Sequence, residues 1–287
     1  MFDVISPSER AGETVRTTDA SLQRSRGTLD LGFSLRGGVT YAARMFQQGA
    51  LKVRFPNVVR GHAPEAVIVN TAGGIAGGDW LDIRLQADAG AGAVVSSQAC
   101  EKVYRSLSDP ALVSVHVTLG EGSQVAWLPQ PMIFFDRARL KRETQVTMAA
   151  DATWLSVEGM VFGRAAMGES VATGSLDDAC FIRRDGRLIH IDRFSIGDDI
   201  SAILARGTVL RGACAMATTR YVAPDAEARI DEMRGLLEGS ACPAAVSAWD
   251  GMMVMRHVAE ESYVLNKELM RVIAAFRGTA MPRVWSI

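Results

Sequence analysis

The stretch NTAGGIAGGDWLDIRLQ, residues Asn70 to Gln86, decides between a nucleotide-binding α/β protein and a β protein. Gly73 and Gly78 stand at the spacing of the phosphate loop G-x-x-x-x-G-K-[ST], but Asp79 and Trp80 take the places of its lysine and hydroxyl. Asp79 would put a carboxylate beside a polyanion. The dinucleotide fingerprint G-x-G-x-x-G is not matched in this stretch, and it needs a helix to begin directly after it. After Trp80 the chain instead runs Leu81-Asp82-Ile83-Arg84-Leu85-Gln86, apolar and polar in alternation, the period of a half-buried strand. The glycines therefore read as a turn between strands.

Outward from this turn a loose repeat appears, with a period near thirty residues. LDIRLQADAGAGAVVSSQ, ALVSVHVTLGEGSQVAWLPQ and RETQVTMAADATWLSVEG each join an alternating arm to a shorter apolar arm through small or acidic residues. A lone hairpin leaves its apolar face wet, so successive units must stack to bury it. A large sandwich is the alternative arrangement of the same strands. RRDGRLIHIDRF and AVSAWDGMMVMRHV add hairpins centred on Asp185-Gly186 and Asp250-Gly251, a pair suited to positive φ at both turn positions. Two helices are expected late. One lies in DAEARIDEMRGLLEG, with Asp225 as cap and Gly239 beyond its end; the other lies in ESYVLNKELMRVIAAFRG, with Leu265, Leu269, Val272 and Phe276 on one stripe and Gly278 as stop. The expected fold is mainly β, a stacked-hairpin or β-helix-like body with a small α+β C-terminal region. Residues 1–27 read as a mobile tail, 28–224 as the body and 225–287 as the helix–hairpin–helix region, packed with the body as one domain.

At 287 residues and 48% hydrophobic content the chain buries a sizeable core. A formal net charge of −1 gives no global footprint for nucleic acid or an anionic membrane. MFDVISPSER lacks a basic region followed by an apolar one, and no apolar run reaches the length of a membrane span. A soluble, cytoplasmic protein is expected. Cys100, Cys180, Cys214 and Cys242 are widely separated and read as reduced thiols, and His62, His116, His190 and His257 are equally scattered.

No nucleophile elbow, H-E-x-x-H or Cys/His cluster is present, and Ser96 and Ser97 have no histidine near them in sequence. Carboxylates within or beside apolar runs stand out instead: Asp136 in MIFFDRARL, Glu158 in TWLSVEGMVFG, Glu101 after SSQAC and Glu169 closing FGRAAMGE. Charges rarely sit in such runs unless paired or functional. The plain reading is ion pairing with arginines such as Arg105, Arg137 or Arg164. The basic run Arg137, Arg139, Lys141, Arg142 lacks interleaved aromatics and reads as a solvated strand face.

NTAGGIAGGDWLDI, SSQACEKVYRS, WLPQPMIFFDRARL, VEGMVFGRAAMGE, FIRRDGRL and the closing PRVW, in that order, resemble the urease accessory protein UreD family, also called UreH. The resemblance runs from about Leu29 to the C-terminus; Cys100-Glu101 and the N-terminal tail depart from it. It implies a helical stack of strands with helices near the C-terminus. It also implies a non-catalytic partner of apo-urease that joins UreF and the GTPase UreG to insert nickel, with UreE as an indirect nickel donor. GTP hydrolysis would belong to UreG, so no intact phosphate loop is needed here. A tight nickel store favours several imidazoles or thiolates. Their absence suits transient handling of nickel(II), with no tightly bound cofactor, along a polar route lined by Asp79, Asp136, Glu158 or Glu169. The C-terminal helix and PRVW would face UreF. The competing reading is a stand-alone hydrolase using the buried carboxylates.

Overall fold

A computed structural model describes residues 24–57, 62–164 and 167–286. The tail expected over residues 1–27 lies, through residue 23, outside the described residues. In chain order the strands are β1 (Arg26–Arg36), β2 (Val39–Gly49), β3 (Leu51–Arg54), β4 (Glu65–Asn70), β5 (Trp80–Ala87) and β6 (Gly92–Ser97). Next come β7 (Glu101–Val103), β8 (Ala111–Leu119), β9 (Gln124–Leu128), β10 (Met132–Phe134), β11 (Arg139–Met148) and β12 (Thr153–Phe162). The last are β13 (Thr173–Arg184), β14 (Arg187–Asp199), β15 (Ala215–Val222), β16 (Ala244–Trp249) and β17 (Met252–Ala259). Helices are α1 (Ile200–Ala205), α2 (Ile230–Leu237) and α3 (Ser262–Arg277).

Two sheets face one another. The first runs β14-β13-β11-β8-β5-β1-β2; the second runs β16-β17-β15-β12-β9-β6-β4-β3, with β10 and β7 paired alongside β12. The repeat explains both. The two arms of one unit do not pair with each other, because the small-residue corner sends the second arm into the opposite sheet. Each arm pairs instead, in parallel, with the matching arm of the next unit: β5 with β8 and β8 with β11 on one side, β6 with β9 and β9 with β12 on the other. Ile83 thus stacks on Val115 and Val115 on Thr144, the thirty-residue period of the sequence. The expected stack of β units is a helical winding between two sheets.

Alternation decides what the winding buries. Leu81, Ile83 and Leu85 of β5 face the other sheet, where Val95, Val125 and Trp154 meet them in one core. The opening glycine loop forms one corner. Gly78 has φ of 84°, and a side chain on Gly74 would strike the Tyr104 ring and the Lys102 carbonyl, so close approach to β7 fixes that glycine. Both Asp-Gly turns form hairpins with positive φ at each residue: Asp185 49° and Gly186 76°, Asp250 48° and Gly251 69°.

A second core lies between the outer face of the second sheet and the helices, built from Leu155, Val157, Leu265, Leu269, Val272 and Phe276. α3 follows its sequence stripe and ends on Gly278 in the left-handed region, φ 64°. α2 is shorter than its pattern, because residues 224–229 form turns and Asp225 accepts the Tyr221 hydroxyl rather than capping the helix. α1 is additional, capped by Asp199, whose side chain accepts from the Ala202 amide. Trp285 of PRVW is buried, donating its indole N–H to the Leu128 carbonyl at 2.9 Å. That aromatic is core, not a partner surface.

Candidate functional site

The interior changes character at β11 and β12. Strand alternation turns Leu140, Arg142, Thr144 and Val146 inward from β11, and Trp154, Ser156, Glu158 and Met160 inward from β12. β13 adds Asp178 and Cys180, β14 adds Asp192, and β15 adds Thr218 and Arg220. Between the sheets they leave a cavity of about 410 Å³, with Arg142, Glu158, Asp178, Asp192, Arg220 and Arg256 among its lining.

These six charges form one chain of ion pairs. Arg142 grips Asp178 with a two-pronged contact, Nε to Oδ1 at 2.8 Å and Nη2 to Oδ2 at 2.5 Å. Its Nη1 stands 3.8 Å from Glu158 Oε1, which also accepts from Thr144 Oγ1 at 3.3 Å. Arg220 Nη1 donates to Glu158 Oε2 at 2.8 Å and its Nη2 to Asp192 Oδ2 at 2.7 Å. Arg256 closes the chain on Asp192 Oδ1 at 2.7 Å.

Burial pushes the Glu158 carboxyl up, but Arg142 and Arg220 together outweigh it and hold the group below the ordinary range. Asp192 is likewise held down by Arg220 and Arg256 against its burial. Burial pushes the Cys180 thiol up to about 12, so it stays protonated. Arg220 Nε and Ser156 Oγ, both buried, have no protein partner among the described residues. The arrangement is neutral in sum, three guanidinium groups against three carboxylates. A divalent cation entering it meets oxygens already engaged by arginine, with no thiolate or imidazole pair to retain it.

Among the four residues singled out from the sequence, only Glu158 lines this cavity. Asp79 is buried at the β4–β5 corner, where Oδ1 accepts the Ser25 amide at 2.7 Å and Oδ2 the Ala76 amide at 2.8 Å. Asp136 Oδ1 accepts the amides of Ala172 and Thr173, and its Oδ2 lies 3.6 Å from Arg137. Glu169 pairs with Arg164 at 2.6 Å, and Arg164 lies over the Phe135 ring. Asp136 and Glu169 thus occupy neighbouring loops, without a shared partner. Among the described residues, no three His, Cys, Asp or Glu side chains gather as a metal site.

Sequence reasoning missed Arg142, Asp178, Asp192, Arg220 and Arg256. The basic run is a solvated face only in part: Arg137, Arg139 and Lys141 are exposed, whereas Arg142 is buried. The signal was available, since alternation puts Arg142 on the same side as Leu140 and Val146. Cys180 and Cys242 are buried free thiols, and Cys100 and Cys214 are half-buried ones.

The winding and its ion-paired interior define a β-solenoid-like protein, not a nucleotide-binding α/β one. No helix among the described residues is long and apolar enough to cross a membrane. The profile of the family described as UreD urease accessory protein matches residues 25–286, and the chain belongs to that family. Its curated relatives include the urease accessory protein UreD of Azorhizobium caulinodans, 43% identical over 92% of this chain and 97% of that one. UreD of Xanthobacter autotrophicus is 42% identical over 92% and 91% of the two chains, and UreD of Mesorhizobium japonicum 40% over 96% and 100%.

Proposed function

We propose that this chain is a urease maturation factor, a cytoplasmic scaffold without catalysis of its own. It binds apo-urease and, with UreF and the GTPase UreG, assists nickel insertion, UreE supplying the metal indirectly. The observation that carries this reading is family membership over residues 25–286. The interior supports the handling role. Nickel(II) is cargo here, and a cavity whose carboxylates are already shared with arginines would hold a cation weakly and release it readily. Glu158 is the central candidate on the route. Asp79, Asp136 and Glu169 are further candidates, each engaged at a loop outside the cavity.

The test is to tag the chain, co-express it with the urease subunits and accessory proteins, and identify what co-purifies. Recovery of apo-urease with UreF and UreG is expected. A partner-free protein that turns over a substrate alone would overturn the scaffold reading in favour of a hydrolase. In the recovered complex, a Glu158→Gln variant is expected to lower urease activation several-fold while retaining the partners. Unchanged activation by alanine variants at all four carboxylates would place the route elsewhere.

A further inference from the structure

The outer face of the second sheet is only partly covered by helices. Val94, Ala126 and Leu155 lie in one row across β6, β9 and β12, and they floor an open groove of about 980 Å³. Phe276, the segment from Gly278 to Arg283 and Glu65 are among its lining. This is the size of a site for a few side chains rather than for an ion.

Its charges are unevenly committed. Arg229 is held on every side: it forks onto Glu232 at 2.7 and 2.9 Å, donates to the Phe276 carbonyl at 2.7 Å and stacks 3.8 Å above the Phe276 ring. Arg277 is different. Among the described residues its guanidinium makes one hydrogen bond, to the Ala280 carbonyl at 3.3 Å, and no carboxylate lies within ion-pair distance. Burial lowers its pKa, and Glu65 is near enough only to oppose that partly. Arg283 is exposed on the same rim. With Arg229 and Glu232 cancelling, the walls present Arg277 and Arg283 against Glu65, above an apolar floor. A half-desolvated guanidinium that meets one acceptor among the described residues is a fork for a carboxylate.

We infer that this groove docks a segment of a partner protein in which an Asp or Glu stands between apolar side chains. The carboxylate meets Arg277 and Arg283, and the apolar groups lie on Val94, Ala126 and Leu155. The inference rests on the scaffold reading, since the occupant belongs to one of the proteins that the chain assembles with.

The test takes the full chain and each purified protein that co-purifies with it. It measures affinity together with backbone hydrogen exchange over residues 275–283. Docking predicts protection of that segment by one partner and at least a tenfold affinity loss for Arg277→Glu and for the floor-blocking Ala126→Trp. Arg277→Lys should recover part of the loss, and Arg139→Glu, on the other sheet, should cause none. Unfolding midpoints of the variants separate lost docking from lost folding. Partner binding with no protection there, and with Arg277→Glu at full affinity, overturns the groove and leaves the scaffold reading intact. If the unmodified chain binds none of these proteins, both fall.

Discussion

One row of the first sheet runs Leu29, Ile83, Val115, Thr144, Cys180 and Asp192, each beside the next through the registered strands. The facing row of the second sheet runs Val95, Trp127, Ser156, Arg220 and Val254. The backbone slots are equivalent, yet the first coils are dry and the later ones are charged. The winding requires only alternation and small corners, and the early coils meet that need with aliphatic side chains. Buried ion pairs seldom stabilise more than apolar groups of the same volume. The fold therefore does not explain why Arg142, Glu158, Asp178, Asp192 and Arg220 fill the later slots. Apolar packing is concentrated at one end of the winding and buried charge at the other.

The strongest way to break this contrast is Glu158→Ala. It leaves Arg142 and Arg220 facing each other across the lost carboxylate, and an uncompensated buried charge costs about 3–5 kcal/mol. Leu31→Ala at the dry end should cost a comparable amount, about 2–5 kcal/mol, through its cavity. Denaturant unfolding at constant slope measures both. A loss below about 1 kcal/mol for Glu158→Ala would mean that water screens the network, and the interior would then be no more than a surface folded inward.

How much of this was legible depends on period. Leu81 to Gln86 announced a strand because alternation is local, and Asp185-Gly186 announced a turn because its backbone demand is local. Glu158 stood out because its neighbours are apolar. Arg142 did not, because it sits among Arg137, Arg139 and Lys141, which are exposed, and only its phase along the strand marks it as buried. Asp178, Asp192 and Arg220 come from three different strands, and only the register of the two sheets brings them to one cavity. The switch of each second arm to the opposite sheet was equally hidden, since a corner and a tight hairpin use the same small residues.

A pH titration sharpens the contrast by separating the chain of ion pairs from His257, a further residue of the cavity lining. His257 of β17 is 1% exposed, and neither ring nitrogen has a protein partner among the described residues. Burial takes its pKa down from 6.5 to about 4, with Glu268 opposing and Arg271 assisting. The unfolded chain therefore binds this proton first. Stability falls as pH drops through the window from 6.5 to about 4, by on the order of 3 kcal/mol when the window is fully crossed. Glu158 and Asp192, held below the ordinary carboxylate range, contribute stability that is present above that range and lost as pH falls through their folded values. The ion pairs thus fail at lower pH than the packing around His257. Unfolding free energies for His257→Gln should decline less between pH 6.5 and 5 than those of the unmodified chain, and the remaining slope comes from His190, whose pKa burial also lowers. A parallel decline in both would place the titrating group elsewhere.

The smallest effect is also the most direct comparison, because Val115 and Thr144 are adjacent slots of one row. Val115→Thr puts a hydroxyl into a dry, fully packed coil and should cost about 1–3 kcal/mol. Thr144→Val removes a donor to Glu158 that is long, 3.3 Å, and leaves both arginine contacts on that carboxylate, so about 1 kcal/mol is expected. Because the residues touch, the double variant need not equal the sum of the singles. A hydroxyl moved one coil toward the dry end is too far along the row to serve Glu158, so the double variant should be at least as unstable as Val115→Thr alone. Recovery toward the unmodified stability would mean that the polar boundary tolerates a shift by one coil, and that the charged end is set by total polarity rather than by the particular slots facing Glu158.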